Sequence, residues 1–228
     1  MTEGENTVTK KDFVTVEFDP FKEQTITTNN VDGCFNAGST YVEVSLKHWK
    51  SPDQDLFQIV FDITDGTSYD DVEFTDLIIT ADQEVIKPMG PAYSEMGKMV
   101  DNNDGTAGYH FDSYGHICFT PEAIKKIASA SNIECRYYSK EGYTDLDTVV
   151  EEWLQTDLAI MYNESVDSNA FSDIVQKRKK ALEQQQVQSA VASEKFEKET
   201  KRNKIIKWCL IVMIVMFVYF LLDSVIYT

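Results

Sequence analysis

The run from Ile205 to Tyr227, IIKWCLIVMIVMFVYFLLDSVIY, constrains this chain more than any other stretch. Between Trp208 and Leu222 it carries no charged side chain, and with its mixed flanks it reaches about the 20 residues that cross a hydrocarbon core. Lys201, Arg202, Lys204 and Lys207 crowd its N-terminal side, against a single Asp223 at the other end. Hydropathy and the positive-inside rule therefore predict a transmembrane helix over 205–227, with the preceding chain in the cytoplasm. The expectation is a tail-anchored, single-pass membrane protein that touches lipid through 205–227 and its basic flank. Cys209, at the edge of the run, is a candidate acylation site by position.

Charge divides the rest. Residues 1–170 hold 11 basic and 32 acidic side chains, a balance of −21, whereas 171–207 hold 10 and 5, a balance of +5. An acidic head on a basic stalk repels phosphate backbones, which argues against a nucleic-acid partner for the head. Cys34, Cys118 and Cys135 form no CxxC pair, so in a cytoplasmic head they read as free thiols rather than a disulfide framework or a zinc site. MTEGENTVTKKD is polar and offers no signal peptide.

The head reads as an α+β domain: a β-rich, antiparallel, sandwich-like sheet structure with short helices. Residues 1–11 lack periodicity and are expected to be a disordered arm, with order beginning near Asp12. DFVTVEFD alternates Val14, Val16 and Phe18 against Thr15 and Glu17. TYVEVSLKHW places Val42, Val44 and Leu46 on one face, LFQIVFDI is dense enough for a central strand, and VEFTDLIITA and EVIKP follow. Met89–Gly108 is expected to be a long loop or irregular helix. HICFT then gives a strand, Thr120-Pro121 starts a helix, and IECRYY with GYTDLD makes a hairpin. Thr148 with Glu151 has capping-box spacing, and Val150, Trp153, Leu154, Leu158 and Met161 supply the apolar stripe of a closing helix.

The expected domain limits are thus 12–163 for the globular head, 164–170 for a hinge, 171–204 for a helical stalk and 205–227 for the anchor. The stalk is rich in helix formers, but its apolar residues do not hold one heptad register. Weak homo-oligomerisation through a coiled coil is the most it offers.

Chemistry-bearing clusters are few. His110, His116 and Cys118 form an HxxxxxHxC pattern, and a strand over 116–118 would put His116 and Cys118 on one face. Zinc needs further ligands that no recognisable spacing supplies, and a Cys–His nucleophilic pair needs an orientation that spacing does not give. Asp62, Asp65, Asp70, Asp71, Glu73 and Asp76 invite a calcium reading, yet DNNDG places its glycine one position early for an EF-hand loop. Walker A, GxGxxG and GxSxG motifs are absent. No cofactor is expected. The functional expectation is a membrane-anchored cytoplasmic interaction or adaptor domain with an unidentified protein partner. The alternative is a tethered enzyme, or a metal- or calcium-binding domain, with its weak candidate site at His110, His116 and Cys118.

Overall fold

The computed structural model describes residues 7–66, 72–95, 97, 99–101, 109–184 and 187–188. The chain divides into two units, Met1–Gln176 and Lys177–Thr228. The first unit contains thirteen strands among the described residues: β1 (Thr7–Lys10), β2 (Val14–Asp19), β3 (Gln24–Asn29), β4 (Gly33–Ala37), β5 (Thr40–Lys50), β6 (Asp55–Gly66), β7 (Phe74–Ala81), β8 (Glu84–Ile86), β9 (Tyr93–Glu95), β10 (Met99–Asp101), β11 (Tyr109–Phe119), β12 (Ile133–Ser139) and β13 (Gly142–Asp145). Helix α1 spans Pro121–Ser129 and α2 spans Thr148–Ser165.

Every strand pairing among the described residues is antiparallel. A nine-stranded sheet runs β1-β2-β3-β5-β6-β11, with β4 sharing an edge of β5 and both β9 and β10 on the far edge of β11. A four-stranded sheet runs β13-β12-β7-β8. Strict period-2 alternation gives β5 its buried face, Val42, Val44, Leu46 and His48. β6 adds Phe57, Ile59, Phe61 and Ile63, and β11 adds Ile117 and Phe119.

The smaller sheet answers with Phe74, Leu77, Ile79, Ile133, Cys135 and Tyr137 in the same core. Its rings interlock with the larger sheet: Phe61 lies 4.6 Å from Phe74 and 5.5 Å from Tyr137, centroid to centroid. Each such buried ring stabilises the fold by about 1.5–3 kcal/mol relative to exposure. The approach is close enough that a Cβ on Gly115 would stand 2.6 Å from Phe74 Cδ1.

Helices fill the rest of that inner surface. Thr120 caps α1 by accepting from Ala123 N–H at 3.2 Å, with Pro121 in its first turn, as the sequence implies. In α2 the cap is Asp147, which accepts from Val150 N–H at 2.9 Å, so Thr148 is the first helical residue and not the cap. Glu151 leaves the helix terminus altogether and accepts Cys135 N–H at 2.7 Å, tying α2 to β12. Asp82, in the tight β7–β8 turn where Asp82 and Gln83 both have positive φ, accepts the N–H groups of Ser131 and Asn132 just past α1.

Several expectations need correction. The α+β head carrying a long helical stalk and a membrane helix is replaced by antiparallel sheets with short helices, because the helices that are described close a core. The residues α2 buries include Leu154, Leu158 and Met161, while Glu151 and Glu152 leave its surface too polar for lipid. Among the described residues no helix is long and apolar enough to cross a membrane. The tail-anchored, single-pass, cytoplasmic placement is corrected on that finding, and so is the long coiled-coil stalk, since described helical turns cover 172–184 and 187–188. The rest of the stalk, the segment 205–227, its flank Lys201, Arg202, Lys204 and Lys207, and Cys209 lie outside the described residues.

Order also begins earlier than Asp12. β1 pairs residue for residue with β2, from Thr7 opposite Phe18 to Lys10 opposite Thr15. All four of its side chains are exposed, which is why it carries no hydrophobic period. The segment Met89–Gly108, expected to be a long loop or short irregular helix, contains the three-residue strands β9 and β10.

Candidate functional site

Because Ser113, Gly115, Ile117 and Phe119 of β11 turn inward, Tyr114, His116 and Cys118 share its outward face. Antiparallel register sets what lies beside them. Tyr114 stands between Glu95 of β9 and Asp62 of β6, and Asp62 in turn faces Glu43 of β5. One row along, His116 stands between Tyr93 and Val60, and Val60 faces Ser45. In the next row Cys118 faces Gln58, which faces Lys47.

Aromatic and polar groups interleave on this face. The His116 ring stacks on Tyr93 at 4.9 Å and is tilted against Tyr114 at 5.8 Å. Its Nδ1 is buried and has no hydrogen-bond partner among the described residues. Trp49 Nε1 donates to Gln58 Oε1 at 2.8 Å, and Gln58 also bonds the Cys118 thiol. Tyr93 is half exposed.

Electrostatics separates the two ends. Burial, then the nearby positive charge of Lys47, holds the His116 imidazole below its ordinary value, so it is neutral at pH 7. Burial pushes the Cys118 thiol up, against a smaller opposing effect of the Gln58 bond. At the acidic end, burial raises the Asp32 carboxyl, helped by Glu43 and Asp62 and opposed by Lys47. Burial also raises the Tyr114 phenol, with the charge of Asp62 next in weight.

The HxxxxxHxC pattern therefore assembles in part. His116 and Cys118 share a face, but the thiol is held protonated, the reverse of the depressed pKa an activated cysteine needs. His110 lies beyond the register shift between Phe111 and Ser113, paired with Val100. Its side chain is outside the described residues, as are those of Asp65, Asp70 and Asp71. Of the other acidic candidates, Glu73 pairs with Lys140 at 2.5 Å, and Asp76 accepts Leu77 N–H at 2.8 Å. Among the described residues no three His, Cys, Asp or Glu side chains are placed to share a metal ion.

Sequence reasoning missed the ring partners of His116, Tyr93 and Tyr114, and the Gln58–Trp49 pair beside Cys118, since cross-strand register alone brings them together. It also missed His48. That ring is fully buried, bonds Asp55 Oδ1 through Nε2 at 2.8 Å and stacks on Phe57 at 4.2 Å. Continuing the Val42, Val44, Leu46 alternation by one step would have found it.

A cleft of about 470 Å³ opens elsewhere, over the outward side of the smaller sheet, lined by residues that include Ile78, Thr80, Glu134, Arg136 and Glu151. Arg136, Asp145 and Glu151 of its lining are already engaged: Arg136 Nε donates to Asp145 at 2.5 Å with the guanidinium Cζ 4.2 Å over the Tyr143 ring, and Glu151 accepts Cys135 N–H. Compared with known proteins, the chain matches no family model, no curated protein and no solved structure. The site must be judged on its chemistry, which is that of a part-exposed sheet face, with Val60 buried at its centre and Glu43, Asp62 and Tyr93 exposed, bearing rings, an amide and carboxylates.

Proposed function

We propose that this chain is a non-enzymatic protein-interaction domain whose contact surface is the outward face of the nine-stranded sheet. The observation that carries the reading is the ring cluster Tyr93–His116–Tyr114 set beside the Trp49–Gln58–Cys118 chain on one face, part-exposed and with Tyr93 the most accessible ring. Tyr and Trp supply large contact area at small conformational cost and are the residues in which binding energy concentrates at protein interfaces. An amide and neutral rings favour contact rather than proton transfer. The thiol beside them is held in its unreactive form, and the overall acidic balance opposes a nucleic-acid partner.

The test compares proteins retained by the full chain with those retained by a Tyr93→Ser/His116→Ser variant of matched thermal stability. The reading expects a discrete set of proteins held by the wild type and lost from the variant. Identical sets would overturn it.

A further inference from the structure

We infer that this face receives a basic segment of a partner protein, with a Lys or Arg against Glu43 and Asp62 and an aromatic or aliphatic side chain on the Tyr93–His116 rings. The inference rests on the interaction reading above and adds the partner's chemistry.

Glu43 and Asp62 are directly opposed in the β5–β6 ladder, and both are exposed on the outward side. Like charges opposed across a ladder are unfavourable, and an incoming cation removes that repulsion. Lys47 lies four residues from Glu43 along β5, on the order of 13 Å at about 3.3 Å per residue, and its charge acts on the Asp32 carboxyl with less weight than those of Glu43 and Asp62, so it offsets the acidic end only in part. Tyr114 lies next to Asp62 in the same row, so a Lys or Arg that reaches the carboxylates can lay its stem along a ring, the mode in which long cationic side chains cover apolar surface.

Spacing gives the partner a pattern. The carboxylate row and the Tyr93–His116 row are two residues apart along the strands, about 7 Å, and Glu43 and Asp62 on β5 and β6 are also two strand spacings, about 10 Å, from His116 and Tyr93 on β11 and β9, so the two contacts are about 12 Å apart on the diagonal. An extended segment presents residues i and i+4 on one side at about that separation. The segment that fits is thus extended and crosses the strands obliquely, with a Lys or Arg four positions from an aromatic or aliphatic residue, a spacing that three Lys-Ser-Trp repeats contain. The raised pKa of the Asp32 carboxyl, due to burial and then to the charges of Glu43 and Asp62, reports the crowding of negative charge at this end of the face.

The experiment measures binding of a fluorescent nonapeptide of three Lys-Ser-Trp repeats to the full chain, alongside peptides with Glu in place of Lys or Ser in place of Trp. The Lys-Ser-Trp peptide is expected to bind best and to weaken with salt. Glu43→Gln/Asp62→Asn, which changes two exposed side chains isosterically, should weaken it at least about tenfold, and Tyr93→Ser should weaken it too. Glu122→Gln/Glu152→Gln, on the helices, should leave it unchanged. Equal loss in the helix variant means general attraction to an acidic protein and overturns the inference, as does unchanged binding in the Glu43/Asp62 variant. Should the Tyr93/His116 variant lose captured proteins while the peptide is indifferent to Glu43 and Asp62, the partner chemistry falls and the interaction reading stands. If neither changes, both fall.

Discussion

Gly33 of β4 lies against the indole of Trp153 in α2, so closely that a Cβ at position 33 would stand 2.7 Å from Trp153 Cδ2 and nearer still to other ring atoms. The contact seats α2 on the larger sheet next to Phe35, whose ring meets Tyr137 of the smaller sheet at 5.3 Å. Gly33→Ala should therefore overpack the junction and cost about 1–3 kcal/mol. Urea unfolding measures this directly, and Gly33→Ala/Trp153→Leu should recover part of the loss. An unchanged midpoint in the single variant would mean that α2 is not held there.

The three described thiols differ in access. Cys34 is exposed, Cys118 is half-buried and Cys135 is buried. Burial, with Glu151 nearby, pushes the Cys135 thiol up to about 12, and burial raises Cys118 as well. Maleimide labelling at neutral pH, resolved by site with mass spectrometry, should modify Cys34 first, then Cys118, with Cys135 reacting on unfolding. Labelling of Cys118 ahead of Cys34 would indicate an activated thiol and restore the enzymatic alternative.

His48 makes stability depend on pH. Burial lowers its folded pKa below the ordinary 6.5, and the Asp55 bond offsets this in part. The unfolded chain then binds the proton more readily, so stability is fully present above about pH 6.5 and is lost as pH falls from there toward the folded pKa. His116 shifts in the same direction. One such group changes stability by at most about 1.4 kcal/mol per pH unit. Urea titrations between pH 5 and 8 should show this decline, and His48→Gln should flatten it. An equal slope in the variant would remove His48 as its source.

What could be read in advance was whatever writes itself into local periodicity. β5 and β6 were visible because one face of each is buried, and α1 because Thr120-Pro121 both caps it and starts it. The exposed β1 and the three-residue β9 and β10 leave no period to read, since their partners are distant in the chain. In the same way His116 and Cys118 drew notice by residue type, whereas Tyr93, Trp49 and Gln58 acquire meaning only through register with strands up to about 70 residues away. The apolar run 205–227 lies outside the described residues, and its hydropathy carries no information about the described fold, which is set by alternating strands and half-buried helices.

The most direct test of the account places a photo-crosslinking phenylalanine analogue at Tyr93 in the full chain, with the same analogue at Val149 as a control. Val149 lies on α2 and is more exposed, at 75% against 48%. If the outward face of the nine-stranded sheet is the binding surface, position 93 should crosslink to a discrete protein that an excess of unlabelled chain competes away, and position 149 should not. Equal crosslinking at the two positions, or competable crosslinking from Val149 alone, would contradict it.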